Sequence, residues 1–258
     1  MAIELKSAAD IAGLREAGRL VAAAFALLKD AVRPGARLRD LDRLVAGFIH
    51  DCGAQPLYLG YRGNPPQQPP FPGVVCTSVN YEICHGLPDA RLLQEGDIVG
   101  IDIGLRYQGY CGDAAVTYAV GQVKPPVQKL LDTALECLNR GIAAAQPGNR
   151  LGDIGAAIQG CAEAQGCSVV REMCGHGLGR ELHEDPPVPH FGTAGRGIRI
   201  TPGMVFTIEP MINAGRSECR ILRDGWTIVT ADRSLSAQFE HALAITPDGP
   251  EILSTRAL

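Results

Sequence analysis

Apolar positions recur at helical spacing in four stretches of the chain, residues 11–31, 41–52, 127–145 and 154–165. Such spacing lines one side of a helix with apolar groups. Elsewhere the pattern shortens to alternation or to brief apolar runs. This predicts strands over residues 73–78, 97–105, 110–120, 168–173, 204–212, 227–230 and 237–246. The order is helix, helix, strands, and then the same again. An α+β domain follows, with pseudo-two-fold halves and helices covering a curved antiparallel sheet.

A faint duplication supports the two halves. Pro34-Gly35-Ala36-Arg37-Leu38-Arg39-Asp40 matches Pro147-Gly148-Asn149-Arg150-Leu151-Gly152-Asp153. Each copy follows one helical stretch and precedes another that stops at glycine, Gly53 or Gly166. Pro-Gly ends a helix. Asp40 and Asp153 are expected as N-caps of the next. The chain therefore reads as one domain, 1–258, with repeats of about 8–121 and 125–248. Pro65-Pro66-Gln67-Gln68-Pro69-Pro70 removes backbone donors and favours an exposed, extended loop.

Composition adds bounds. A chain of 258 residues with 46% hydrophobic and 20% charged residues is long enough and apolar enough for a sizeable core. A net charge of -4 gives no argument for nucleic acid or a membrane surface. The first ten residues hold Glu4, Lys6 and Asp10 and no long apolar run, so no secretory leader is expected. The apolar stretch 20–28 is too short to span a bilayer. Nine cysteines with no CxxC pair read as reduced thiols of a cytoplasmic protein.

Acidic residues interrupt several apolar strands. In 98–105, alternation puts Val99, Ile101, Ile103 and Leu105 on one face and Gly100, Asp102 and Gly104 on the other. A buried carboxylate without a partner is costly. Asp113 follows after a turn expected near Tyr107-Gln108, which would bring it opposite Asp102. Two facing carboxylates repel unless a proton or cation lies between them. Glu209 ends the apolar run Met204–Ile208, and Glu240 lies inside the alternation 238–245. His176 lies in the glycine-rich Gly175-His176-Gly177-Leu178-Gly179, which resists helix and lets backbone approach closely. His183, seven positions on, does not fit the HExxH zinc-protease spacing. Four carboxylates and one imidazole form a hard, oxygen-rich set. Such a set suits two divalent ions sharing a bridging carboxylate and water, and manganese, iron, cobalt and zinc all fit it.

The motifs occur in the order Cys84-His85-Gly86-Leu87-Pro88, Asp102-Ile103-Gly104 with Asp113, Gly175-His176-Gly177-Leu178-Gly179, Thr207-Ile208-Glu209-Pro210 and Ser236-Ala237-Gln238-Phe239-Glu240-His241. Together they resemble the type I methionine aminopeptidases, of pita-bread fold, from about Ser7 to Thr246. The resemblance implies that Asp102 chelates one metal, Asp113 and Glu240 bridge, and His176 and Glu209 hold the second. It makes His85 and His183 substrate-facing histidines outside the ligand set, and Glu209 the proton shuttle. It builds the methionine pocket from Tyr61, Phe71, Cys76, Leu182 and Trp226, and points to a monovalent cation beside Asn80 and Ser236. Residues 64–70 look like an insertion at the pocket rim, and Leu182 stands where relatives often carry phenylalanine, which implies a roomier pocket. No N-terminal zinc-finger extension is expected.

The activity implied is removal of the N-terminal methionine from peptides and nascent chains, with a small second residue preferred. A monomer with transient ribosome contact and no membrane attachment is expected. The alternatives are a proline-specific aminopeptidase of the same fold and a non-catalytic binding protein built on it.

Overall fold

The computed structural model describes residues 3–63 and 66–254. Helices α1 (Ala8–Leu28) and α2 (Leu38–Asp51) come first. Strands β1 (Gln55–Pro56), β2 (Val75–Val79), β3 (Glu82–Cys84), β4 (Ile98–Tyr107) and β5 (Tyr110–Ala119) follow. Helices α3 (Pro125–Ala144) and α4 (Leu151–Ala164) open the remainder of the chain. After them come β6 (Ser168–Val169), β7 (Gly175–Gly177), β8 (Glu184–Val188), β9 (Val205–Ile208) and β10 (Met211–Asn213). The last strands are β11 (Cys219–Ile221), β12 (Ile228–Thr230), β13 (Ser236–Gln238), β14 (His241–Thr246) and β15 (Gly249–Ile252).

Local chemistry explains the helix starts. The Ser7 hydroxyl accepts from Asp10 N–H at 3.2 Å and the Asp10 carboxylate accepts from Ser7 N–H at 3.0 Å, a reciprocal cap for α1. Pro125 opens α3 where its missing donor costs nothing. The expectation for Asp40 and Asp153 needs correcting. The caps of α2 and α4 are Arg37 and Arg150, and the two aspartates lie in the first turn. Leu38 and Leu151 are already buried, which draws each helix start forward. Asp153 instead reaches back to accept the Arg150 N–H at 2.7 Å.

The β4–β5 hairpin turns at Gln108-Gly109, both at positive φ (49° and 83°), as in a two-residue turn that matches strand twist. This moves the register from the expected one. Asp113 pairs with Gly104, and Asp102 pairs with Ala115. The two aspartates are diagonal neighbours rather than partners. Val99, Ile101, Ile103 and Leu105 are fully buried and share a core with Val21 and Phe25 of α1 and Leu41 and Val45 of α2. Fully burying such side chains contributes about 1.5–3 kcal/mol each.

Two predicted strands are broken, and the breaks matter. Residues 204–212 divide at Glu209-Pro210 into β9 and β10, because Pro210 has no N–H for a ladder. Residues 237–246 divide at Phe239-Glu240 into β13 and β14, where Glu240 N–H turns to donate to Ala115 O at 2.9 Å. In each case the two pieces join different sheets, ordered β15-β14-β9-β7-β8 and β13-β10-β6. The strand expected over 168–173 shortens to β6. In the proline-rich stretch, Asn64 and Pro65 lie outside the described residues. Pro66, Gln67, Pro69 and Pro70 are exposed, as expected.

Candidate metal centre

Asp102 stands on β4, Asp113 on β5 and His176 on β7. Glu209 and Glu240 stand at the two strand breaks, where the backbone leaves one sheet for another and turns both carboxylates inward. All five line a single cavity of about 370 Å³, together with His85, His183, Tyr61, Phe71, Cys76, Leu182 and Trp226. Every predicted ligand and pocket residue thus meets in one place. The volume lies within the usual range for a small-ligand site.

The geometry is tight. His176 Nε2 is 3.6 Å from Asp113 Oδ2 and 3.5 Å from Glu209 Oε1. Single donor atoms of Asp113, His176 and Glu240 all lie within 4.8 Å of one another. Glu209 accepts from the Thr207 hydroxyl at 2.8 Å and from Gln238 Nε2 at 3.4 Å. Its backbone N–H donates to His190 Nε2 at 3.1 Å. The Tyr58 hydroxyl reaches Asp102 Oδ1 at 2.6 Å and Asp113 Oδ1 at 2.8 Å.

These surroundings shift the acids upward. Burial raises Glu209 to about 8 and Asp102 to about 7. Asp113 rises well above the carboxylate range through burial and then the charges of Asp102 and Glu209. His176 is lowered to about 3, mainly by burial and next by His183. No lysine or arginine is among the described residues that line the cavity. Buried carboxylates crowded around a neutral imidazole, without a basic side chain to balance them, need cations or protons. Divalent metal is a chemical fit to this oxygen-rich donor set.

Above the acids the cavity turns apolar. Trp226 meets Phe71 edge-on with ring centroids 5.4 Å apart, and it lies 6.1 Å from the Tyr61 ring. Its indole N–H donates to Pro69 O at 2.8 Å, tying the proline-rich segment to the pocket rim. His85 holds a left-handed backbone, φ 56°, which is strained for a non-glycine residue and clusters at functional positions. Burial and then His183 lower its pKa to about 4, so it is neutral near pH 7. The His176 and His183 rings meet edge-on at 4.4 Å, and Tyr61 OH lies 2.9 Å from His183 Nδ1. Asn80 and Ser236 are also neighbours, with Ser236 N–H donating to Asn80 O at 2.9 Å, and the buried Ser236 hydroxyl has no hydrogen-bond partner among the described residues.

Sequence reasoning missed Tyr58, Thr207 and His190, and the rim residues Glu172, Met173 and Cys174. Thr207 carried a signal, since it lies two positions before Glu209 on the same strand face. Glu172, Met173 and Cys174 are near His176 in sequence, whereas Tyr58 and His190 are brought in only by the chain's path.

A buried acidic cluster below an apolar pocket, on a doubled helix–helix–sheet frame, defines a metal-dependent peptidase. The chain belongs to the metallopeptidase family M24, whose model matches residues 12–247. Within it the chain is similar to methionine aminopeptidase B of Synechocystis, 47% identical over 97% of this chain and 91% of that protein. It is likewise similar to methionine aminopeptidase 1 of Bacillus subtilis, 45% identical over 96% of this chain and 98% of that one. The crystal structure of methionine aminopeptidase from Rickettsia prowazekii superposes with a TM-score of 0.94 at 40% identity, covering 98% of this chain and 100% of that one. These likenesses bear out the type I methionine aminopeptidase resemblance and its pita-bread fold. A prolidase from Pyrococcus furiosus shares the fold alone, with a TM-score of 0.77 at 20% identity, over 98% of this chain and 66% of that one.

Proposed function

We propose that the chain removes the first methionine from peptides and nascent chains, preferring a small second residue. The carrying observation is the juxtaposition of five ligand-type side chains with an aromatic, apolar pocket in one cavity. Asp102, Asp113, His176, Glu209 and Glu240 would hold two divalent ions, of manganese, iron, cobalt or zinc. Divalent ions so held polarise a peptide carbonyl and lower the pKa of water.

The protein's own groups supply the rest. The free amine of a chain's first residue would serve as a ligand to an ion held there, which would restrict cleavage to the N-terminus. Tyr61, Phe71, Cys76, Leu182 and Trp226 take the methionine side chain in an apolar, polarisable pocket. In the tautomer in which Tyr61 donates to Nδ1, His183 carries its proton on Nε2. That tautomer can donate to the carbonyl oxygen as it gains charge. His85, neutral near pH 7, contacts the scissile amide nitrogen. Glu209 relays the proton, steadied by Thr207 and Gln238.

The single-domain reading with fused halves is supported by the two helix pairs, each followed by strands. A monovalent cation beside Asn80 and Ser236 is supported by the buried Ser236 hydroxyl, which has no hydrogen-bond partner among the described residues. We place the protein in the cytoplasm as a monomer with transient ribosome contact. Nine free thiols support a reducing compartment, and no helix among the described residues is long and apolar enough to cross a membrane.

The test is cleavage of Met-Ala-Ser, Met-Lys-Ser and Ala-Ala-Ser by metal-stripped protein, before and after adding manganese or cobalt. Metal-dependent loss of methionine from the first peptide alone is expected. No cleavage with any metal overturns the reading and favours a non-catalytic binding protein.

A further inference from the structure

Tyr58 is buried at the floor of the cavity, 9% exposed, and no motif in the sequence marks it. Its hydroxyl lies within hydrogen-bond distance of two carboxylates, at 2.6 Å from Asp102 Oδ1 and 2.8 Å from Asp113 Oδ1. The remaining oxygen of Asp113, Oδ2, is thereby turned toward His176. The ring reaches this place because Gly104 has no side chain. A Cβ at Gly104 would lie 2.8 Å from Tyr58 Cε1 and Cζ and 3.0 Å from its hydroxyl. Gly104 is the residue directly across the ladder from Asp113. Room for the phenol is therefore opened on β4 beside both carboxylates that it contacts.

We propose that Tyr58 is a positioning residue for the metal centre, its hydroxyl orienting the Asp102 and Asp113 carboxylates together, with Gly104 as the position that admits it. The inference rests on reading the acidic cluster as a metal centre. A phenol has one hydrogen and two lone pairs. It can donate to one carboxylate while lying against the other. The hydroxyl meets only Oδ1 of each aspartate, and these oxygens keep further lone pairs for a cation beside the untouched Oδ2. Outer partners of this kind typically account for 10–100-fold in metal affinity.

The experiment is cobalt(II) titration of metal-stripped full-length protein, followed by calorimetry and visible absorption. Wild type, Tyr58→Phe, Gly104→Ala and the double variant are compared, with circular dichroism as a check on folding. Tyr58→Phe keeps the ring and removes only the hydroxyl. It is expected to bind cobalt at least tenfold more weakly, with an altered visible spectrum and a lower kcat. KM for a methionine peptide should stay within about twofold, since the pocket walls remain. Gly104→Ala should show the same loss by displacing the ring, and the double variant should be no weaker than the worse single one. A folded Tyr58→Phe with wild-type cobalt affinity and spectrum overturns the inference while leaving the metal centre standing. Wild type that binds no cobalt overturns the metal-centre reading, and this inference with it.

Discussion

Asp113→Asn should make the metal-free protein more stable and the metal-loaded protein less so. Asp113 is 3% exposed, and Asn has nearly the same shape and still accepts the Tyr58 hydrogen bond. What changes is charge. Asp102 Oδ1 and Asp113 Oδ1 can be at most about 5.4 Å apart, the sum of their 2.6 and 2.8 Å distances to one hydroxyl. At that separation and an effective dielectric of about 20, two full charges repel by about 3 kcal/mol. Partial protonation relieves some of this, because Asp113 is already pushed well above the carboxylate range. A gain of about 1–3 kcal/mol at pH 8 remains, or an upward Tm shift of roughly 3–10 °C for a chain of this size. Cations reverse the sign. At a hundred times Kd a bound ion stabilises wild type by about 2.7 kcal/mol, and the variant should gain much less. Calorimetry of stripped protein with and without manganese, plus metal analysis, reads both effects. A lower Tm for stripped Asp113→Asn, or manganese stabilisation equal to wild type, would refute the reasoning.

Further variants probe the remaining parts. His85→Ala should retain its metal by elemental analysis and lose about 10²–10⁴-fold in kcat, as for a group that acts on the reacting bond; a metal-free variant would contradict its place outside the ligand set. Trp226→Ala removes a wall that is 6% exposed, so stability should fall by about 3–5 kcal/mol and KM for methionine peptides should rise, and unchanged kinetics in the folded variant would remove it from the pocket. Gly112→Ala would put a Cβ 2.6 Å from Ala17 O, where α1 lies against β5; a loss of about 1–3 kcal/mol is expected in denaturant unfolding, and an unchanged midpoint would contradict that close approach. The Asp10 carboxyl is held near 2 by the Ser7 hydroxyl, the Tyr110 hydroxyl and the Ser7 N–H, in that order. Because the folded value lies below the unfolded one, its contribution is complete above about pH 4 and fades as pH falls toward 2. An NMR titration midpoint at the ordinary aspartate value would contradict this.

Local pattern carried much of this molecule. The four helices follow from apolar periodicity, since burying one face is what holds a helix of this length. Asp102 and Asp113 stood out because carboxylates in apolar strands conflict with burial, and Glu209 and Glu240 for the same reason. Resemblance through ordered motifs then named His85, His183 and the pocket walls. Tertiary structure decided the rest. The Gln108-Gly109 turn set a register two residues away from the expected one. The breaks at Glu209-Pro210 and Phe239-Glu240 sent each continuous apolar run into two sheets, which alternation alone does not reveal. Tyr58 joins the site only because its ring fills the space over Gly104. Periodicity records which face of an element is buried. It does not record which distant side chain occupies a gap, because that contact is set by how separate elements pack.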